Sequence, residues 1–493
     1  MLYPLLSRLT LSFFIVVNLS SGVTHAQEFS PFSEFTPRQQ ALLDSVLHRV
    51  EAGLPTPAYC VRGEITPEAT SFINRVLSIQ PPGPRFNGSD FERWTTTATE
   101  GSGVLRGDPI TLTWSIVPDG TDVDGPGTAS DLIASFDAAF GSRSGWVDIF
   151  QEVFDGWQAK TGITYVFVGD DGAAFPDTPG VVGERGDIRI GGTDIDGPCQ
   201  SEEVCNSIIG FNYFPNLGDM VLDTANAVDT FAISDNNFRY LRNTVSHEHG
   251  HGLGFKHSCP LDSTKIMEPK LNNGFDHSGL DDIANANRKY ADAYESSGRN
   301  DSPSESTYLG TKFSQHIIGD GSDQTRQIAS LDSVRDEDFY EFGLGAGATI
   351  SFTLRPRGAV FQYGDDNGSF CGTVSTFTLN SLETIDLNIQ LIDSDGVTVI
   401  ADSSGNSVGL SESVNDLEIP NGGVYFLRVF TNDAEAALDD DQVQLYELEI
   451  DVIPGEASFL PASDVWSQIM TVLMLVLMAV SYLVFHNKYD KLN

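Results

Sequence analysis

The densest concentration of chemically capable residues is the segment His247-Glu248-His249-Gly250-His251-Gly252-Leu253-Gly254-Phe255-Lys256-His257. On a helix, His247 and His251 stand one turn apart, so both imidazoles project from the same face and can reach one metal ion. Glu248 lies beside them, where a carboxylate can take a proton from a metal-activated water and pass it to the departing amine of a cleaved peptide. Gly254, lacking a Cβ, lets the chain turn sharply and return His257 as a third ligand. Three neutral imidazoles leave a fourth coordination position for water, the arrangement of a catalytic rather than a structural zinc. His249 falls off the ligand face at helical spacing and reads as a solvent-facing or supporting histidine.

These residues need a helix and a scaffold to hold it. Phe238, Leu241, Val245 and Leu253 recur at helical spacing, which predicts a helix from near Asn236 that ends at Gly252 and Gly254. Upstream, strands at Ile110 to Ile116, Ile163 to Val168 and Asp187 to Gly191, with a helix from about Trp146 to Thr161, give an α/β pattern. Residues 27–105 combine a helical pattern over Pro37 to Ala52 with the run Pro81-Pro82-Gly83-Pro84, and read as a leader or propeptide. A polar linker at 296–306 follows the α/β region. Beyond it, alternating runs at Thr349 to Leu354, Leu387 to Ile392 and Val424 to Phe430 are separated by turns such as Asp395-Gly396, which implies a β-sandwich over 307–454.

The two ends and the charge bound the setting. Residues 1–26, with Arg8, an apolar run and the small residues Thr24 and Ala26, read as a signal peptide cleaved after Ala26. After a spacer at 455–465, the charge-free stretch Trp466 to Phe485 spans about 30 Å as a helix and predicts one transmembrane segment. Lys488 and Lys491 place the tail, 486–493, in the cytoplasm. The chain is thus expected to be exported and held at the cell surface or envelope by this helix, or released by processing. With 69 acidic and 28 basic residues, its charge of −41 repels phosphate backbones, so nucleic acid is not an expected partner. Protein or peptide substrates are expected, the membrane is met through the C-terminal helix, and nothing fixes the oligomeric state. Five cysteines allow at most two disulfides. Cys199 and Cys205 are spaced for a small loop, and Cys259 has Cys60 or Cys371 as a partner.

The eleven-residue histidine pattern resembles that of metzincin metalloproteases, and Gly250 makes it similar to the matrixin branch. Metzincins set a methionine in a tight turn beneath the metal, and Met267 in Lys265-Ile266-Met267-Glu268-Pro269 looks like that residue. Gly186-Asp187-Ile188-Arg189-Ile190 resembles the substrate-side strand of a matrixin. Leu280-Asp281-Asp282-Ile283 with Arg288-Lys289-Tyr290 resembles its closing helix, so the likeness covers about residues 106–295. It implies a zinc endopeptidase with one catalytic Zn2+ on His247, His251 and His257, and Glu248 as general base. The second, structural zinc of matrixins is not expected, because no histidine lies between His48 and His247. Gly218-Asp219 and Asp223 resemble a matrixin calcium-binding stretch and make Asp219 and Asp223 Ca2+ ligands, although Asn226 stands where an acidic ligand belongs. Glu268 and Pro269 exclude the tyrosine ligand of astacins and serralysins. A thiolate from Cys60 would fit the fourth zinc position and keep such an enzyme latent, yet Pro57 to Arg62 do not match the matrixin latency motif. A disulfide cysteine is the preferred reading.

The C-terminal sandwich resembles the bacterial pre-peptidase C-terminal domain through Asp336-Glu337-Asp338-Phe339-Tyr340, Leu387 to Gly396 and the strand following Gly422-Gly423. Leu460-Pro461-Ala462-Ser463, the apolar helix and the basic tail together resemble sorting tails of bacterial envelope proteins. The expected fold class is therefore multidomain: a metzincin-like α/β (α+β) catalytic domain at 106–295, a β-sandwich, and one C-terminal transmembrane helix. The rival is an envelope-anchored binding or adhesion protein whose zinc domain is structural or inactive.

Overall fold

A computed structural model describes residues 34–63, 67–79, 93–123, 128–197, 207–276, 278–311, 314–321, 327–365, 371, 374–432 and 442–455. The segments expected to form a signal peptide, a membrane helix and its tail lie outside the described residues, as do Cys199 and Cys205. Among the described residues no helix is long and apolar enough to cross a membrane.

The α/β unit is built in chain order from α1 (Pro37–Ala52), β1 (Ala58–Val61), α2 (Pro67–Ile79), β2 (Ile110–Ile116), α3 (Leu132–Phe140), α4 (Arg143–Gln158), β3 (Ile163–Phe167), β4 (Ile188–Thr193), β5 (Ile208–Asn212), β6 (Met220–Asp223), α5 (Arg239–Gly252), β7 (Ser258–Cys259) and α6 (Leu280–Tyr290). Six strands form one sheet in the order β1-β5-β6-β4-β2-β3. β3, β2, β4 and β6 run parallel, whereas β5 is antiparallel to β6 and β1 antiparallel to β5.

Alternation along the strands divides the core into two layers. Met220, Leu222, Ile209 and Trp114 face α3, α4 and α5 in a cluster rich in aromatic rings, including Phe136, Trp146, Phe150, Phe154 and Trp157. Val221, Ile208 and Phe211 face the opposite way, onto Leu42, Leu43, Val46, Phe72, Ile73 and Val76 of helices α1 and α2. These two N-terminal helices thus supply a whole layer of the fold. The first is fixed at both ends: Thr36 and Gln39 form a capping box, Pro37 opens the first turn, and Gly53 closes it at φ +69°.

The second unit comprises β8 (Thr307–Gly310), β9 (Gln315–Ile318), β10 (Ala329–Leu331), β11 (Asp338–Leu344), β12 (Ala348–Arg357), β13 (Val360–Asp365), β14 (Phe377–Asn380), β15 (Asn388–Ile392), β16 (Val399–Ser403), β17 (Glu412–Ile419), β18 (Gly423–Phe430) and β19 (Gln444–Ile453). Two sheets, β8-β11-β18-β15-β16 and β9-β19-β12-β17 with β10 on β19, enclose one apolar core. The alternation of buried and partly exposed residues from Ala348 to Arg355 in β12 is what a sheet with one covered face requires. The hairpin β13–β14 leaves the sandwich and pairs with β7, matching Gly364 to Cys259 and Asp365 to Ser258. A disulfide between Cys259 and Cys371 fastens the same contact, so Cys371 rather than Cys60 is the partner. The segment read as a linker runs along the seam, where the Asn300 carbonyl accepts from the Phe339 amide at 3.0 Å and Asn300 itself is buried.

Candidate metal centre

Helix α5 begins at Arg239, three residues later than the apolar spacing predicts, because Asn236, Asn237 and Phe238 all take left-handed backbone angles. Its far end follows the sequence reading. Gly254 sits at φ +92°, and the Phe255 amide donates back to the Gly250 carbonyl at 2.9 Å, so the helix closes and the chain reverses toward the metal face. Trp94, which the sequence reading did not single out, and Tyr290 of the expected closing helix hold this end. The Trp94 indole donates to the Gly252 carbonyl at 2.8 Å, and the Tyr290 hydroxyl donates to the Leu253 carbonyl at 3.0 Å while accepting from the Trp94 amide. They satisfy carbonyls that a helix terminus leaves unpaired.

The three histidines meet. His251 Nε2 lies 3.1 Å from His247 Nε2 and 3.2 Å from His257 Nε2. His247 Nδ1 faces the Ile266 carbonyl at 2.6 Å and His251 Nδ1 the Phe255 carbonyl at 2.7 Å. A carbonyl only accepts, so both Nδ1 atoms carry the proton and both Nε2 atoms turn lone pairs inward. Facing lone pairs at these distances repel unless a cation sits among them. Zinc with nitrogen ligands at 2.0–2.1 Å in tetrahedral geometry sets such nitrogens roughly 3.3 Å apart, so the set fits the ion. Burial pushes His247 down to about 4, and pushes His251 and His257 well below the ordinary range, which keeps all three as neutral donors.

Met267 is buried against helix α5, and its fit explains Gly250: a Cβ on residue 250 would stand 2.4 Å from the Met267 sulfur. Ser258 donates its amide to the Met267 carbonyl at 2.8 Å, so the turn, the His257 segment and β7 are held as one piece. The sandwich hairpin and the disulfide therefore grip the chain just past His257. Helix α6 occupies the range expected of a closing helix and delivers Tyr290.

Glu248 is fully buried, and neither of its oxygens has a hydrogen-bond partner in the protein framework. It lies against the bare backbone of β5, where a Cβ on Gly210 would approach its Oε1 to 2.9 Å. Burial pushes its carboxyl well above the usual range, and the neighbouring Cys60 thiol offsets this only in part. Cys60, His247 and Glu248 bring ligand atoms within 4.8 Å of one another. Cys60 is a free, buried cysteine, which overturns its reading as a disulfide residue.

Cys60 reaches this position because β1 is held on both sides. Along one side Cys60 pairs with Gly210 of β5, and along the other Val61 bridges to Lys270 and accepts from the Leu271 amide at 3.0 Å. The strand bordering the centre is therefore β5. The expectation that Gly186 to Ile190 forms the substrate-side edge is corrected: β4 is fully buried inside the sheet, between β6 and β2.

His249 is neither solvent-facing nor near the metal face. It is wedged among Phe154, Trp157 and Tyr165, with its Nε2 2.6 Å from the Tyr165 hydroxyl, and burial pushes it down to about 3. Asp219 and Asp223 are both buried but belong to no described group of converging ligand atoms. Asp219 accepts from the Arg189 amide at 2.9 Å. Asp223 caps a short turn through the Ala225 amide and accepts from Asn226 at 2.5 Å, so Asn226 serves Asp223.

No protein-family model matches this sequence, and no curated protein is similar to it. Among solved structures, the C-terminal β-sandwich resembles the pre-peptidase C-terminal domain of collagenase from Bacillus anthracis, at 16% identity over 29% of this chain and 92% of that chain, with a TM-score of 0.17. The chain is also similar to PliG, a periplasmic inhibitor of g-type lysozyme, from Salmonella Typhimurium (13% identity, 30% of this chain, 97% of that one, TM-score 0.17) and from Aeromonas hydrophila (12%, 30%, 96%, 0.17). These likenesses carry no argument about function. What stands is a multidomain α/β protein with a β-sandwich, a histidine set fit to hold a metal, and a disulfide of the kind formed in oxidising, extracytoplasmic compartments.

Proposed function

We propose that this chain is a zinc-dependent endopeptidase acting on extracellular protein or peptide substrates, and that β1 holds it latent in the state described here. The carrying observation is the convergence of the Nε2 atoms of His247, His251 and His257, the first two with their lone pairs turned inward, beside the buried carboxyl of Glu248. Bound zinc would supply Lewis acidity at the scissile carbonyl and acidify a water at the open coordination position. The chain's own residues do the rest. Glu248 accepts the water's proton on its carboxylate, where burial favours holding it, and releases it to the leaving amine. Residues 208–212 offer a strand edge along which an extended peptide would pair by main-chain hydrogen bonds, the place now taken by β1. Removal of β1 would open that edge and withdraw Cys60 from Glu248.

A second reading follows from the same cysteine. If Cys60 with the three histidines makes a permanently closed ligand set, the metal is structural and the chain is an envelope-anchored binding protein. Zinc analysis combined with a peptide-library cleavage profile, before and after proteolytic removal of the leader, separates the two. The protease reading expects one zinc per chain and cleavage that appears on leader removal. A zinc-bound protein that cleaves nothing in either state favours the structural reading. Anchoring by the helix at 466–485 would decide where cleavage occurs, and we infer that a chain ending at Pro454 keeps its activity on small peptides.

A further inference from the structure

The three histidines are not held alike. His247 and His251 ride on helix α5, whose own hydrogen bonds fix their spacing, and each turns its Nδ1 to a backbone carbonyl of the α/β unit. His257 lies beyond the helix, on the irregular segment 255–257 that follows the Gly254 turn. Next comes β7, only two residues long, and its strand partner is β13 of the sandwich rather than a strand of the six-stranded sheet. So short a strand has little stability by itself, and its position is set by what it pairs with.

That partner is a braced arm. The hairpin β13–β14 stands on the end of β12, where Arg357 still pairs with Leu445 of β19. At its root the buried Gln444 amide nitrogen reaches the Arg357 and Ser381 carbonyls, each at 3.1 Å, and the Ala359 amide donates to Ser381 Oγ at 2.9 Å. From there the ladder from Val360–Asn380 to Tyr363–Phe377 carries the arm outward, and Gly364 and Asp365 at its far end meet Cys259 and Ser258. The Cys259–Cys371 bond closes the contact across 112 positions of sequence, with Cys259 fully buried. On its other side β7 is tied to the α/β unit by the Ser258 amide, which donates to the Met267 carbonyl at 2.8 Å. His257 thus sits two residues from a covalent link to the sandwich.

We propose that the Cys259–Cys371 disulfide is a redox latch on the zinc centre: its formation positions His257 and raises zinc affinity, and its reduction lets the metal go. The inference rests on the zinc reading above. Forming the bond takes two protons and two electrons from the two thiols and joins their sulfurs, while a disulfide-bearing oxidant accepts both and leaves as two thiols. In a reducing compartment the cysteines stay as thiols and His257 lacks its brace, whereas an oxidising compartment completes the site. Cys259 and Cys371 are then positioning residues, and the sandwich is a working part of the metal centre. Coupling of this kind is reciprocal: zinc must protect the disulfide against reduction by the same factor by which the disulfide raises zinc affinity.

The test is the zinc affinity of the full chain, measured by competition with a chromophoric chelator, for the oxidised parent and for Cys259→Ser/Cys371→Ser. The double variant should bind zinc at least about tenfold more weakly, as loss of a group that orients a ligand typically does. Ile389→Val, a buried core change in the sheet that does not carry the hairpin, should lower the unfolding midpoint yet bind zinc as the parent does. If the serine variant does not fold, the parent alone decides. Equilibrated in glutathione buffers of graded strength, the zinc-loaded chain should keep the Cys259–Cys371 cross-link, read by mass spectrometry, under conditions at least about tenfold more reducing than the zinc-free chain tolerates. Equal zinc affinity in the parent and the double variant, an equally large loss in Ile389→Val, or reduction curves that coincide with and without zinc would overturn the proposal. An oxidised parent that binds no zinc would refute the zinc reading itself, and the latch with it.

Discussion

Gly250→Ala isolates the joint between helix α5, which carries His247 and His251, and the turn that carries Met267. The added Cβ would lie 2.4 Å from the Met267 sulfur, more than 1 Å inside ordinary contact, which is about 3.5–4.0 Å. Two effects oppose each other. Alanine in a helix interior gains about 1 kcal/mol over glycine, while overpacking a closed core costs about 1–3 kcal/mol. Met267 is buried, and the adjacent Phe255 ring would stand 3.3 Å from the new methyl, so the sulfur has little room to retreat. The expected net effect is a loss of about 1 kcal/mol in urea unfolding. The larger effect should fall on the metal. Displacing Met267 moves the Ile266 carbonyl that orients His247, and loss of such a support typically weakens metal binding about 10–100-fold. Competition with a chromophoric zinc chelator measures that directly. If the alanine variant binds zinc as tightly as the parent and is more stable by about 1 kcal/mol, the methionine turn does not position the ligand and the reasoning fails.

Other expectations follow from single contacts. His257→Ala should lose zinc on dialysis against a chelator that leaves the parent loaded, since one of three protein ligands is gone; equal retention would remove His257 from the set. In cobalt-substituted protein, a thiolate-to-metal charge-transfer band should be present with Cys60 and absent in Cys60→Ser, and identical spectra would show that the thiol does not reach the metal. Tyr290→Phe strands the Leu253 carbonyl and should cost about 1–3 kcal/mol in unfolding free energy. Burial pushes the Asp196 carboxyl up to about 6, above its unfolded value near 3.8. Its stabilising contribution is therefore complete below about pH 4 and disappears as pH rises through 6. Asp196→Asn should remove about 3 kcal/mol of that pH dependence, and an unchanged slope between pH 4 and 6 would contradict the assignment.

The metal set was legible because its chemistry is local. His247 and His251 are one turn apart, Gly254 stands where the chain must reverse, and Met267 follows within the same turn-rich segment. The strand Ile110–Ile116 and the alternating strands of the sandwich were equally plain, since burial on one or both faces writes itself into the sequence. What the sequence concealed is long-range pairing. Ile208–Asn212 is short and contains Gly210 and Asn212, so it lacks an alternating signature, although it is the strand that lies against Glu248. Helix α3 has no strong cap, as Asp131 makes no side-chain capping bond. The place of Cys60 depends on β1 joining a strand about 150 residues further on, and the β7–β13 pairing depends on two units meeting. Neither relation leaves a mark in local spacing.

The central claim is that Glu248 performs proton transfer for hydrolysis at a zinc held by three histidines. The most direct measurement is the peptide-cleavage rate of the leader-freed, zinc-loaded chain beside that of Glu248→Gln at matched zinc content. The glutamine keeps the shape but cannot take a proton, so the zinc content should be unchanged and the rate should fall at least about a hundredfold. A Glu248→Gln chain that cleaves at the parent rate with its zinc intact would contradict the account.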